Sequence, residues 1–97
     1  MKELFARIQA ASRSDKAANA EQMFLYLSEE VGEVATCISV DVGLKSRPLD
    51  EPMESELCDV LIATMGMLAR SHGYDYMIET MSNKLQKWER RVSHGSY

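Results

Sequence analysis

Apolar side chains recur at steps of three and four residues through four stretches of the chain, a spacing that places each set on one face of an α-helix. The stretches cover about residues 2–12, 20–41, 52–71 and 75–92. No internal repeat or low-complexity tract competes with this pattern, and only five glycines and two prolines interrupt the chain. Two long central helices and a long fourth helix therefore predict an all-α, four-helix bundle-like fold, with residues 1–97 as a single domain.

Capping residues at the ends of these stretches support the same boundaries. Asn19 is predicted to be the N-cap of the second helix, with Gln22 three residues later in the capping-box position. Asp75 is the predicted N-cap of the fourth helix, and Gly43 and Gly73 are predicted stops.

The apolar stripes predict which side chains are internal. On the second helix the predicted seam consists of Phe24, Leu27, Val31, Val34 and Ile38. On the fourth helix the predicted inner stripe consists of Met77, Met81, Leu85, Trp88 and Val92. Cys37 and Cys58 lie inside apolar patterns and match no zinc or redox motif, so we expect two buried structural thiols.

Chain length and charge exclude several classes of protein. A chain of 97 residues has a thin core, and the apolar third helix needs cover on more than one side, so a homodimer or homotetramer is expected. The net charge of −4 argues against binding a nucleic acid polymer through a basic surface. No apolar stretch is long enough to cross a membrane or to form a signal peptide, which makes a cytoplasmic location the default expectation.

Two pairs of acidic residues lie on the central helices. Glu30 and Glu33 are three residues apart, as are Glu56 and Asp59, and this spacing places each pair on one helix face. If the two faces meet, the four carboxylates form a cluster that a divalent cation would stabilise, and hard oxygen ligands suit Mg²⁺, or Mn²⁺, better than zinc. Asp59 also interrupts an apolar segment, where a carboxylate needs a partner.

Acidic steps of this kind also occur on solvated helices, so the spacing alone leaves a metal site and a solvated surface both open. The other nearby acids are interpreted as solvated, namely Glu29, Glu51 and Glu54.

The two acidic steps, separated by residues 34–55, resemble the signature of the MazG-like nucleotide pyrophosphohydrolases, part of the all-α NTP pyrophosphatase superfamily. Two segments are similar to the central helices of that family, namely LSEEVGEV at 27–34 and ELCDVLIATMGMLAR at 56–70. The resemblance covers about residues 20–92. Residues 13–22 do not reproduce the Pro-Trp-Asp-type segment of many members, so the resemblance predicts no base preference.

The resemblance implies a chemistry as well as a fold. It implies an assembly of at least two chains, Mg²⁺ on Glu30, Glu33, Glu56 and Asp59, and hydrolysis of a nucleoside triphosphate between its α- and β-phosphates. Glu30 or Glu33 is the expected catalytic base. Removal of unwanted nucleotides, called house-cleaning, is the expected biological role.

The fourth helix offers residues that suit phosphate groups. Asn83, Lys87 and Arg91 recur at steps of four, and the segment around Lys87 and Arg91 looks like the basic segment with which the family meets phosphates. A solvated helix end is the alternative. Trp88 is predicted to bind substrate by stacking on a base, although its spacing also favours core packing. The cations at 45 and 47 are interpreted as part of a surface loop.

Two other functions remain to be separated from this one. The main alternative is a non-catalytic oligomeric helical module in which the acids hold a structural metal ion. A di-metal oxidoreductase of the carboxylate type is less compatible with the sequence, because such sites use Glu-x-x-His steps and no His follows Glu30 or Glu56 at that spacing.

Overall fold

A computed structural model describes residues 1–15, 19–44 and 51–95. The described residues form four α-helices and no strand: α1 (Lys2–Ser14), α2 (Ala20–Asp41), α3 (Met53–Ala69) and α4 (Tyr74–Ser93). The predicted all-α, four-helix fold is confirmed. None of the helices in these ranges is both long and apolar enough to cross a membrane.

Both ends of α2 are fixed by local hydrogen bonds. Asn19 and Gln22 form the predicted capping box: the Gln22 backbone amide donates to Asn19 Oδ1 at 2.8 Å, and the Asn19 amide donates to Gln22 Oε1 at 3.1 Å. At the other end Gly43 has φ 79°, and the Leu44 amide donates to the Ser39 carbonyl at 2.8 Å. This left-handed backbone conformation favours a residue without a Cβ, and it agrees with the prediction that Gly43 ends the helix.

The start of α4 differs from the prediction by two residues. Gly73 is the N-cap, and Asp75 lies in the first turn rather than at the cap. A carboxylate in the first turn still interacts favourably with the positive end of the helix dipole.

The α2–α3 pair is the most extensive helix packing in the described part of the chain, and its seam agrees with the predicted one at Leu27 and Val34 only. The positions of α2 that are buried or half-buried at alternating steps of four and three are Met23, Leu27, Glu30, Val34 and Cys37. The predicted seam residues Phe24, Val31 and Ile38 are instead about half exposed. They form a second stripe beside the first, and the seam itself includes an acid.

Helix α1 crosses α3 and is held by side chains that reach the other helix's backbone. Phe5 is 2% exposed and packs with Ala69 and Met77. Ser12 Oγ donates to the Gly66 carbonyl at 2.8 Å, and Gln9 Nε2 donates to the Ala69 carbonyl at 3.0 Å. Residues of α1, α2 and α3 line a groove between the three helices.

Helix α4 packs only through its first turns. Met77 is 3% exposed and the Tyr74 ring stacks on Phe5 with centroids 5.7 Å apart, whereas every residue from 81 to 95 is exposed. The prediction that the whole stripe is internal is therefore wrong for Met81, Leu85, Trp88 and Val92, because α4 extends away from α2 and α3. The radius of gyration of 16.2 Å agrees, since a compact chain of this length has about 12.5 Å.

The two cysteines also differ from each other. Cys37 is 3% exposed, as predicted for a structural thiol in the α2–α3 seam. Cys58 is exposed, so the prediction of two buried thiols is wrong for that residue. Its position on α3 places it between the acids Glu56 and Asp59 in sequence but not on their helix face.

Candidate metal centre

Three carboxylates meet in the seam between α2 and α3. Glu30 on α2 and Glu56 and Asp59 on α3 each offer a carboxylate oxygen, and these oxygens all lie within 4.8 Å of one another. We call these three residues the acid trio. Glu56 and Asp59 share a face of α3 because they are three residues apart, and Glu30 occupies a seam position of α2. The packing of the two helices therefore builds the cluster.

The acid trio is partly withdrawn from water. Glu56 is 9% exposed, which is unusual for a glutamate, and Glu30 and Asp59 are half-buried. Carboxylates are rarely placed this way unless a cation or several hydrogen bonds compensate for the lost hydration. The arrangement favours a positively charged ligand.

Electrostatics at the cluster lead to the same inference. Burial raises the pKa of Glu30, and the negative charges of Asp59 and Glu33 raise it further. Burial likewise raises the pKa of Glu56, with contributions from the charges of Glu51 and Asp59. Both groups therefore hold a proton more tightly than a free glutamate does, and a bound divalent cation would reverse this effect by favouring the ionised forms.

Glu33 lies at the edge of the acid trio rather than within it. Its side chain is exposed, but its negative charge contributes to the raised pKa values of both Glu30 and Glu56. The sequence predicted a set of four acids, and the structure brings three of them together with the fourth beside them. Glu29 and Glu51 are exposed, as interpreted from the sequence, yet their charges also reach Glu30.

A groove of about 900 Å³ lies between α1, α2 and α3, and two residues of the acid trio line it. Glu30 and Asp59 form part of its wall, together with Arg7 and Tyr26. Sequence reasoning missed both of the latter. Tyr26 lies one helical turn before Glu30, so i,i+4 spacing would have indicated it, whereas the position of Arg7 depends on how α1 crosses α3 and has no local signal.

The residues that α4 was predicted to bring to the substrate do not line this groove. Asn83, Lys87, Trp88 and Arg91 are all exposed, and α4 packs on α1 rather than on α2. Their role in binding substrate stays a prediction. The cations at 45 and 47, interpreted as part of a surface loop, lie outside the described residues.

A family model, the MazG nucleotide pyrophosphohydrolase domain, matches residues 18–96. The chain belongs to this family. The matched range contains α2, α3 and α4, and with them all four predicted acids, whereas α1 precedes it. No curated protein and no solved structure matches the chain.

Membership in the MazG family gives the acid trio a chemical context, since the family is one of nucleotide pyrophosphohydrolases. The donor set suits Mg²⁺ because all three ligands are carboxylate oxygens. Oxygens on opposite sides of one Mg²⁺ stand about 4.2 Å apart, since each Mg–O bond is about 2.0–2.1 Å long. Oxygens within 4.8 Å of one another therefore need only small side-chain rotations to share an ion.

Proposed function

We propose that this protein is a Mg²⁺-dependent nucleoside triphosphate pyrophosphohydrolase, which cleaves between the α- and β-phosphates to give a nucleoside monophosphate and pyrophosphate. The observation that carries the proposal is the acid trio of Glu30, Glu56 and Asp59 in the seam of a MazG family domain. Mn²⁺ would suit the same oxygen ligands. House-cleaning of the nucleotide pool is the corresponding biological role.

The residues would divide the work between holding the ion and moving a proton. Bound Mg²⁺ would neutralise phosphate charge and lower the pKa of a coordinated water. Glu30, Glu56 and Asp59 would hold it, and Glu33, whose side chain is exposed, would accept a proton. Hydrolysis at this site would join the oxygen of a water molecule to the α-phosphorus and break the bond from that phosphorus to the bridging oxygen, with pyrophosphate as the leaving group. Glu30 is the other candidate base.

The proposal includes assembly into a homodimer or homotetramer. The chain exposes 7524 Å². A compact monomer of 11.0 kDa would expose about 5,600 Å², so this one exceeds it by roughly 1,900 Å². A standard interface covers about 800 Å² per partner. The exposed stripes Phe24–Val31–Ile38 on α2 and Met81–Leu85–Trp88–Val92 on α4 are the surfaces that a second copy would cover.

Assembly also bears on the predicted phosphate-binding residues. Because α4 extends away from its own acid trio, Asn83, Lys87 and Arg91 would meet a substrate only where a second copy brings α4 and an acid trio together. The alternative for these side chains is the solvated helix end, since Arg90 and Arg91 lie in the last turn, where cations are favoured.

The decisive experiment identifies products from a panel of ribo-, deoxyribo- and modified nucleoside triphosphates incubated with Mg²⁺. Wild type should release pyrophosphate and the monophosphate in equal amounts. Asp59→Asn and Glu33→Gln should abolish turnover without changing helical content, because one removes a metal ligand and the other the proton acceptor. Glu54→Gln, an exposed acid on α3, is the matched control and should retain activity.

Three results would contradict the proposal. Orthophosphate as the first product would show that the bond between the β- and γ-phosphates is cleaved instead. Full activity in both Asp59→Asn and Glu33→Gln would show that these residues do not form the active site. Mg²⁺ binding without turnover of any triphosphate would support the non-catalytic module with a structural ion instead.

A further inference from the structure

Arg70, at the end of α3, is bonded to the end of α1. Its guanidinium group donates through Nη1 to the Ser12 carbonyl at 3.0 Å and to the Asp15 carbonyl at 3.4 Å. Ser12 is one of the last four residues of α1, whose carbonyls have no regular partner within the helix, and Asp15 is the C-cap. A cation is favoured there because the helix dipole is negative at its C-terminus. Arg70 therefore caps α1.

Side chains of α1 cap α3 in return. Ser12 Oγ donates to the Gly66 carbonyl at 2.8 Å, and Gln9 Nε2 donates to the Ala69 carbonyl at 3.0 Å. Both carbonyls belong to the last four residues of α3. We call the five residues Gln9, Ser12, Gly66, Ala69 and Arg70 the α1–α3 crossing. All five are buried or half-buried, so the loss of a donor here leaves a carbonyl that water replaces poorly.

The α1–α3 crossing forms part of the groove wall, two helical turns from the acid trio. Along α3 the residues that line the groove extend from Asp59 to Gly66, a distance of about 10.5 Å along the helix axis. Ser12 and Asp15 line it from α1. Arg70 is not itself a lining residue, but it bonds to the backbone of these two residues that are. Any effect of Arg70 on a ligand in the groove therefore acts through α1.

Helix α1 is attached at two places, and the groove wall lies between them. Near its start, Phe5 is 2% exposed and packs with Ala69 and Met77. Near its end, the α1–α3 crossing holds Ser12. Loss of the bonds at the crossing would leave the Phe5 contact in place, so α1 would stay on the protein while its second half moved away from α3. The crossing thus determines the width of the groove.

We propose that Arg70 is a positioning residue for the nucleotide substrate, because it holds the α1 wall at the distance from α3 at which the groove fits the nucleoside part. The inference rests on the proposed function, since a triphosphate bound at the acid trio extends its nucleoside part along this groove. The acid trio belongs to α2 and α3 alone, so the chemistry at the phosphates does not depend on α1. Arg70 therefore affects KM rather than kcat.

The test compares wild type, Arg70→Met, Arg70→Lys and Arg13→Met with the best nucleoside triphosphate. Methionine keeps the apolar stem but donates no hydrogen bond, so Arg70→Met should raise KM about tenfold, the effect of losing one hydrogen bond from a charged group, and change kcat less than about twofold. Arg70→Lys, which keeps the charge but not the planar fork, should have an intermediate KM. Arg13, an exposed arginine in the last turn of α1 that does not line the groove, is the matched control, and Arg13→Met should equal wild type.

Ribose 5-triphosphate separates positioning from support of the fold, because it has the phosphates but no base to occupy the groove. Its KM and kcat should be the same in wild type and Arg70→Met. An equal loss with both substrates, or a fall in kcat without a rise in KM, would show that Arg70 only supports the fold. An unchanged KM for the nucleoside triphosphate would overturn the proposal as well.

Ser12→Ala is a milder variant of the same crossing and should also raise KM. Because both changes release the same end of α1, Arg70→Met should raise KM less in the Ser12→Ala protein than in wild type. Fully additive effects would contradict a shared action through α1.

Calorimetry with the four ribonucleoside monophosphates makes the comparison without turnover. Arg70→Met should bind the monophosphate that wild type prefers about tenfold more weakly, and equal binding would overturn the positioning role. A wild type that binds this monophosphate more tightly than Arg70→Met does, but releases no pyrophosphate from any triphosphate, would overturn the proposed function alone.

Discussion

Truncation of Trp88 to alanine should dissociate the assembly while leaving the fold of each chain in place. The indole is 52% exposed in the single chain, although it lies on the apolar stripe of α4. Half of a tryptophan side chain corresponds to roughly 80–130 Å², which is worth about 2–3 kcal/mol when a second copy buries it. A two-fold dimer contains this contact twice, so the dissociation constant should increase by roughly 10³- to 10⁴-fold.

Sedimentation over a range of concentrations measures this constant directly. Wild type should remain associated at micromolar concentrations, Trp88→Ala should sediment as a monomer, and circular dichroism should show equal helix content. Gln86→Ala is the control, since Gln86 lies on the opposite side of the exposed part of α4 and alanine favours a helix. Equal association of wild type and Trp88→Ala would refute the assignment of the α4 stripe to an interface, as would a wild type that is itself monomeric.

Three further predictions concern stability. Gly32 lies inside α2, and a Cβ added there would meet no atom within 4 Å. Gly32→Ala should therefore raise the free energy of unfolding by about 1 kcal/mol in urea titrations. A free energy of unfolding below that of wild type would show that another chain occupies that space. Phe5→Ala should lower it by about 3–5 kcal/mol, because Phe5 joins α1 to α3 and α4, and a loss below about 1 kcal/mol would show that this contact matters little. The pKa values of Glu30 and Glu56 are raised above 4.5, so proton binding by these two groups stabilises the folded, metal-free protein. This contribution to the free energy of unfolding is fully present below about pH 4.5 and is lost as the pH rises through the raised pKa values. Glu30→Gln/Glu56→Gln should flatten this part of the pH profile of the melting temperature, and parallel profiles would contradict the raised pKa values.

The local features of the fold were predictable from the sequence because they depend on neighbouring residues. The capping box of Asn19 and Gln22 and the left-handed Gly43 each satisfy backbone groups within one helical turn. A few neighbouring residues therefore suffice to predict each feature. The spacing of Glu56 and Asp59 likewise fixes their shared face of α3. The meeting of that face with Glu30 was a prediction about packing, and it rested on Asp59, which interrupts an apolar segment and needs a partner, and on the family resemblance.

The remaining features depend on how helices pack, which periodicity alone does not determine. Helix α2 has two adjacent apolar stripes, and the sequence favoured Phe24 and Val31, although the stripe that includes Glu30 faces α3. The stripe on α4 was predicted to be internal, but an apolar stripe does not indicate whether the same chain or a second copy covers it. Arg7 enters the groove only because α1 crosses α3 at a particular angle, and no pattern in α1 encodes that contact.

The central claim is that Glu30, Glu56 and Asp59 together hold a divalent cation that enables hydrolysis of a triphosphate. Titration with Mn²⁺, followed by electron paramagnetic resonance of the free ion, tests this most directly because it requires neither substrate nor turnover. Wild type and Glu54→Gln should bind Mn²⁺ with the same affinity, Mg²⁺ should displace it, and Asp59→Asn should bind at least about tenfold more weakly, since each ligand contributes to a site of only three carboxylates. Equal binding by wild type and Asp59→Asn, or no binding by wild type, would contradict the claim.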